Sequence, residues 1–214
     1  MEPSSDDPWR VSWEAMNARA WWYLDHSADL PPSVSRGKPF HGLPRLRLWD
    51  DAMGFGCEAE PTTLTVYELF ADHYRREPVV REAVWRRAAD LGRVHEEVKR
   101  SGKPVTFRPT VSVRDAAVPS DQLAALLTEA AVFRVPVTWF SDTESVTSDC
   151  GGRGFEFFSQ DQPPAVVTLE WSYDTPPEWE PVLEWCGKLR QFLEVCLAHT
   201  TRPAEPGAAP DTAR

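Results

Sequence analysis

Residues 166–198 read VVTLEWSYDTPPEWEPVLEWCGKLRQFLEVCLA, and this stretch decides the fold class. Its first eight residues largely alternate between apolar and polar side chains, with the two-residue period of a β-strand. Thr175 and Glu178 then have the spacing of a helix capping box. Apolar residues follow at helical spacing, and a helix over about 181–198 is expected to bury Val182, Cys186, Leu189, Leu193 and Cys196. The stretch therefore predicts a strand followed directly by an amphipathic helix.

The chain before this stretch continues the mixture of strands and helices. Alternation predicts a strand over 105–113, with Pro109 at an edge or bulge, and a second strand over 135–140. Ser120 is expected to cap a helix between them. Residues 145–150 and 155–159 flank a glycine-rich turn and resemble the two arms of a hairpin. We therefore predict an α+β fold, in which a helical N-terminal part packs on a mostly antiparallel sheet of about four to five strands, with helices on one face and a C-terminal helix.

The N-terminal part reads as mainly helical. Asp7 and Pro8 begin a helix over 7–25, whose buried stripe is Trp9, Trp13, Met16, Ala20 and Leu24. Residues 45–49 alternate as a short strand, and Asp50-Asp51 reads as a turn. Helical periodicity then predicts one helix from residue 63 to 77 and another over 79–100, stopped at Ser101-Gly102. Ion pairs at four-residue spacing are expected on the second helix: Glu82 with Arg86, Arg93 with Glu97, and Glu96 with Arg100.

The 214 residues are enough for one large domain. We predict a mainly helical part over 1–103, which contains a proline-rich loop at 27–44, and an α+β part over 104–198. No linker separates the two parts, so we expect one continuous core. Residues 199–214 are rich in proline and alanine, a composition that predicts a disordered tail.

Composition excludes several classes of protein. The formal net charge is −10, which argues against broad binding of nucleic acid, because such binding needs a basic surface. No apolar run approaches the roughly 20 residues that span a bilayer, and the acidic N-terminus does not resemble a secretory signal. We therefore expect a cytoplasmic protein. The excess of Arg over Lys and the absence of Ile are typical of a GC-rich, bacterial genome, and we assign the arginines no special role on that ground.

Charged residues are unevenly distributed along the chain, and tryptophan is frequent. Residues 62–114 carry 11 basic and 7 acidic side chains, whereas residues 137–198 carry 3 basic and 11 acidic ones. Ten tryptophans are present, and Trp, Tyr and Arg are the residues most enriched in interface hot spots. An acidic face would attract a basic partner, although the two halves can also neutralise each other. The candidate binding residues are Trp21, Trp22, Asp142, Glu144, Asp149, Asp174, Glu178 and Glu180.

No catalytic or metal motif stands out. The chain lacks the common nucleotide-binding and hydrolase signatures, and its histidines are too scattered for a metal site. The four cysteines form no C-x-x-C pair, so we expect free thiols and no metal or other cofactor. Cys57 with His41 or His73 is a weak candidate for a thiol nucleophile and its base.

These observations predict a protein-interaction module that is not an enzyme. It would act as an inhibitor, immunity-type antitoxin, adaptor or regulatory subunit, and bind a basic protein through an acidic, Trp-rich surface. The alternative is an enzyme or ligand-binding protein with a pocket between the helical part and the sheet. A homodimer and a structural subunit of a larger assembly also fit the sequence.

Overall fold

The computed structural model describes residues 7–25, 44–51, 63–70, 77–133, 153–158, 166–171 and 177–199. Four helices lie within these ranges: α1 (Pro8–Asp25), α2 (Arg87–Ser101), α3 (Ser120–Ala130) and α4 (Glu180–Ala198). Six strands accompany them: β1 (Leu46–Asp51), β2 (Leu64–Phe70), β3 (Val79–Trp85), β4 (Val111–Ala117), β5 (Arg153–Phe158) and β6 (Val166–Trp171).

The six strands form one sheet in the order β4-β3-β2-β1-β5-β6. Every neighbouring pair is antiparallel. The α+β class is thus confirmed, although the sheet has six strands where four to five were expected. Helices cover both faces, not one: α3 and α4 pack on one face, and α1 and α2 pack on the other.

The helices predicted over 63–77 and 79–100 are wrong in their first halves. Residues 64–70 form β2 and residues 79–85 form β3, and the helix begins only at Arg87. Asp50 and Asp51 also belong to a strand, β1, and not to a turn. The sheet therefore draws three of its strands from the part of the chain that reads as mainly helical.

Several other predicted elements agree with the structure. The helices at 8–25, 120–130 and 180–198 are confirmed, and Asp7 caps α1 by accepting a hydrogen bond from the Trp9 amide at 3.1 Å. Gly102 ends α2 with a φ of 65°, the left-handed conformation that glycine adopts readily. The strand expected from 105 starts at Val111, after Pro109. The strands expected at 135–140 and 145–150, most of the 27–44 loop and nearly all of the tail lie outside the described residues.

Two apolar clusters fill the layers on either side of the sheet. On one side, Trp185 of α4 is 1% exposed and packs against Phe155 and Phe157 of β5, and its indole N–H donates to the Leu126 carbonyl at 2.7 Å. On the other side, Trp85 is fully buried beneath α1 and α2. The guanidinium of Arg87 lies 4.9 Å from the Trp85 ring centroid, which allows this charged residue to be buried beside an aromatic face.

A row of charged residues crosses the sheet on the α1–α2 side. Strand register aligns one residue from each strand across all six: Asp115, Arg81, Glu68, Arg47, Glu156 and Thr168. We call this set the charged row. Signs alternate along it, so each ionised side chain lies between neighbours of opposite charge or beside the Thr168 hydroxyl. Burial of charge without such partners would be strongly unfavourable.

Distances along the charged row show that most of its neighbours are paired. Arg47 donates to Glu68 at 2.8 Å and to Glu156 at 3.4 Å, and the Thr168 hydroxyl donates to Glu156 at 3.2 Å. Glu68 is 1% exposed. Because side chains alternate between faces, a one-residue slip of any strand would move its charged member to the opposite face. The charged row therefore specifies the register of the sheet.

Candidate functional site

The structure describes only part of the predicted binding set. Asp142, Glu144, Asp149 and Asp174 lie outside the described residues, as do Cys57, His41 and His73. Trp21 is half-buried against the α1–α2 core, whereas Trp22 is 55% exposed. Glu178 and Glu180 are exposed at the start of α4. Trp22 belongs to the layer on one face of the sheet and these two glutamates to the layer on the other, so the described members do not form one surface.

Trp22 belongs to a cluster of arginine and aromatic side chains on the α1–α2 side. Its ring meets the Tyr23 ring edge-on, with centroids 5.2 Å apart. The Arg108 guanidinium lies 5.4 Å from the centroid of Tyr23, and that of Arg93 lies 5.5 Å from the centroid of Phe107. We call this surface the arginine–aromatic platform; its members are Arg19, Trp22, Tyr23, Arg93, Phe107 and Arg108.

Three separate elements build the platform. Arg19 and Trp22 come from α1, Arg93 comes from α2, and Phe107 comes from the chain between α2 and β4. The side chain of Arg19 reaches across to donate to the Phe107 carbonyl at 3.5 Å. The sequence signal for this cluster is the Trp-Trp-Tyr run at 21–23, which marks the aromatic part but gives no sign of the arginines that join it.

Asp90 fixes the platform to the protein core. Its fully buried carboxylate accepts two hydrogen bonds from Thr110, from the amide at 2.6 Å and the hydroxyl at 2.8 Å, and one each from Trp85 at 2.8 Å and Arg93 at 2.6 Å. Burial alone would raise the pKa of Asp90, but the hydrogen bonds from Thr110, Trp85 and Arg93 outweigh it and hold that pKa below its ordinary value. The platform is therefore held in place by a buried, ionised group.

A shallow cleft of about 980 Å³ adjoins the platform along α2. Arg93 and Phe107 line its platform end, and Glu96, Glu97, Lys99 and Arg100 line the rest. Glu97 pairs with Arg100, and Arg93 pairs with Asp90 at 2.6 Å. The ion pairs expected from sequence, Arg93 with Glu97 and Glu96 with Arg100, are therefore not the pairs that form.

The helical layers on the two faces of the sheet carry opposite net charge. Residues 86–110, which contain α2 and the platform segment, carry seven basic and three acidic side chains, a net of +4, and residues 7–25, which contain α1, carry two basic and three acidic ones, so this layer is +3. The α3 and α4 ranges 120–133 and 177–199 carry six acidic and two basic side chains, a net of −4. Among the described residues, the helical layers on the two sides of the sheet thus differ in the sign of their net charge.

The sheet edge formed by β6 is open within the described part of the chain, where β6 pairs with β5 alone. Val166 and Val167 are 49% and 57% exposed. Since successive strand residues point to opposite faces, the described residues leave both faces of the sheet uncovered at this end of β6. At the other edge of the sheet, β4 contacts α1 and α4.

The described cysteines are poor nucleophiles. Burial raises the pKa of Cys186 to about 12, and it also raises that of Cys196. The reactive thiolate is therefore suppressed at both positions at neutral pH. Among the residues that the structure describes, no group of histidine, cysteine and carboxylate side chains is arranged to hold a metal ion.

A cavity of about 360 Å³ lies between α3 and the sheet, with Leu46, Leu69, Leu127 and Phe157 among its lining residues. It is on the α3–α4 side, not on the side of the N-terminal helix. Within the described ranges, no helix has the length and apolar character needed to cross a membrane.

Comparison with known proteins finds no match to this chain: no family model, no curated protein and no solved structure.

Proposed function

We propose that this chain is a protein-interaction module that acts as an inhibitor, immunity-type antitoxin, adaptor or regulatory subunit. The observation that carries the proposal is the edge of β6, which no other strand of the described residues pairs with and which carries two exposed valines. An exposed edge strand presents backbone N–H and C=O groups to which an extended segment of another protein can add as a further strand. Backbone pairing supplies affinity in this mode, and the side chains on either face supply specificity.

The charges near β6 favour a basic partner. Glu170 on β6 is exposed, and Glu178 and Glu180, which follow β6 in the chain after a short interval, are exposed as well. Exposed acidic residues at or near an interface accelerate association with a basic protein and make the association rate sensitive to salt. Asp142, Glu144, Asp149 and Asp174 add to the acidic character of this part of the sequence. A basic, extended segment that pairs with β6 is therefore the proposed ligand.

The test is capture of a partner from the native cell by the tagged full chain, compared with a variant that blocks the edge. Lysine on an edge strand opposes pairing with another strand, so Val167→Lys should lose most of the captured partner. Val195→Lys is the matched control, because Val195 is 50% exposed but lies on α4. The retained partner should be basic and should dissociate in high salt.

The proposal fails if Val167→Lys and Val195→Lys retain the same partners in the same amounts. The proposed role of the acidic residues fails if the double variant Glu178→Gln/Glu180→Gln leaves the salt dependence of the complex unchanged, since the partner would then not contact these charges. Circular dichroism of both lysine variants checks that the fold is preserved.

A further inference from the structure

The arginine–aromatic platform is a second candidate interface, on the opposite side of the sheet from α3 and α4 and independent of the β6 edge. We propose that it binds a short acidic segment of a partner protein, with aromatic or apolar side chains between the acidic ones.

The arrangement suits alternating acidic and apolar side chains. Arg108 lies over Tyr23, and Arg93 lies over Phe107. A guanidinium placed on an aromatic ring keeps the N–H groups at its edge available for carboxylates, while the rings offer apolar area beside them. Trp22, 55% exposed at the margin, extends that apolar area. Asp90 neutralises part of the Arg93 charge, so Arg19 and Arg108 are the principal anion-binding members.

The platform is ordered before a ligand arrives. Arg93 donates to Asp90 at 2.6 Å, to the Thr110 hydroxyl at 3.2 Å and to the Arg108 carbonyl at 3.4 Å. The segment that carries Phe107 and Arg108 is thereby tied to the buried carboxylate. Preorganised side chains lose less conformational entropy on binding than free ones, and such rigid aromatic and arginine residues are the usual hot spots of interfaces.

Charge selects the class of ligand. Residues 86–110 are net +4, whereas the whole chain is −10. A nucleic acid carries a dense line of phosphates that extends well beyond the platform, and the remaining negative charge of the chain would repel it. A peptide with a few carboxylates interacts chiefly with the local positive charge, because salt screens charges more than about 10 Å away. The observations therefore favour an acidic peptide over a nucleic acid.

The experiment measures binding of a fluorescein-labelled peptide of alternating Glu and Phe residues to the full chain by fluorescence anisotropy. Arg108→Gln and Arg19→Gln should each weaken binding by about tenfold, the scale of a moderate hot spot. Arg10→Gln is the matched control, because Arg10 is also an exposed arginine of α1 but pairs with Glu14 at 2.8 Å, outside the platform. A peptide with Gln in place of Glu should bind at least about tenfold more weakly than the Glu peptide.

A charge swap gives a further readout that does not depend on loss of function. The double variant Arg19→Glu/Arg108→Glu should lose the Glu–Phe peptide and acquire affinity for a Lys–Phe peptide. The proposal is overturned if the wild-type chain does not bind the Glu–Phe peptide, if Arg10→Gln weakens binding as much as Arg108→Gln, or if a single-stranded oligonucleotide binds the platform more tightly than the peptide. Val167→Lys should leave peptide affinity unchanged, so failure here and failure at β6 are separate results.

Discussion

Arg81 and Asp115 form a bidentate ion pair across β3 and β4, with the guanidinium Nε and Nη2 donating to the two carboxylate oxygens at 2.8 and 3.0 Å. Arg81 is fully buried, and Asp115 is 4% exposed. Both charges have therefore left water, and each depends on the other. The pair terminates the charged row at one edge of the sheet.

Removal of one partner of this pair should strongly lower the free energy of unfolding. Asp115→Ala and Arg81→Met each leave a buried charge without its bidentate partner and should lower the free energy of unfolding by about 3–5 kcal/mol. The double variant Arg81→Met/Asp115→Leu should lose much less than the sum, because both charges of the pair are removed together and Glu68 keeps its bond from Arg47. Urea denaturation of the four proteins measures both effects. Additive losses in the double variant would show that the two charges are not coupled.

Asp90 predicts a specific dependence of stability on pH. Because hydrogen bonds hold its folded pKa below its ordinary value, its contribution is complete above the unfolded pKa of about 3.9 and is lost as pH falls through the folded value. Asp90→Asn should destabilise the protein by about 1–3 kcal/mol at neutral pH. The difference between the two proteins should stay constant from about pH 5 to 7 and shrink below about pH 4. Unfolding curves across this range test it; a difference that grows on acidification would contradict the prediction.

Gly154 and Gly92 should respond oppositely to alanine. A Cβ on Gly154 would collide with the Trp49 ring and lie 2.6 Å from the Leu169 carbonyl oxygen, whereas one on Gly92 meets nothing within 4 Å. Gly154→Ala should therefore cost about 1–3 kcal/mol. Gly92→Ala, on the exposed face of α2, should stabilise the protein by up to about 1 kcal/mol. Thermal unfolding distinguishes the two, and equal effects would mean that Trp49 does not restrict this position.

Cys186 should react with thiol reagents only when the protein unfolds. It is 6% exposed, and its pKa is raised to about 12, so neither access nor ionisation favours attack on a reagent. Site-resolved mass spectrometry after iodoacetamide treatment should show Cys186 labelled more slowly than Cys196. Mild denaturant should accelerate its labelling in proportion to unfolding. Fast labelling of Cys186 in buffer alone would exclude the packing described here.

β2 and β3 were predicted as helices for a physical reason. In a strand that is covered on one face only, apolar and polar residues alternate. β2 and β3 are covered on both faces, so their residues are almost all buried and the alternation that identifies a strand is weak. Val80, Val84 and Ala88 fall at four-residue spacing only because a strand passes directly into a helix. Edge strands such as β6 keep the alternation, and the isolated helices α1, α3 and α4 keep their period, so these elements were predictable.

The candidate surfaces were only partly predictable for a related reason. The exposure of Trp22 could be predicted, because this residue lies off the buried stripe of α1. The arginines of the platform come from residues 19, 93 and 108, and only the tertiary structure brings them together. The number of arginines in the sequence gives no indication of where they converge in the fold. Likewise, the sequence predicted an ion pair between Glu82 and Arg86 on a helix. In the structure Glu82 lies on β3 and pairs with Arg114 on the neighbouring strand β4.

The strand order also constrains how the chain folds as it is synthesised. Strands β1 to β4 pair in sequence, but β5 pairs with β1, and residues 52–152 must be made before it appears. At about 5–20 residues per second, β1 waits for at least several seconds on the ribosome with one edge unpaired and with Leu46 and Leu48 uncovered by α4. A nascent chain at this stage offers a transient strand edge for chaperones to shield or for aggregation to capture. The sheet can therefore be completed at β1 only after that interval, when β5 has been synthesised.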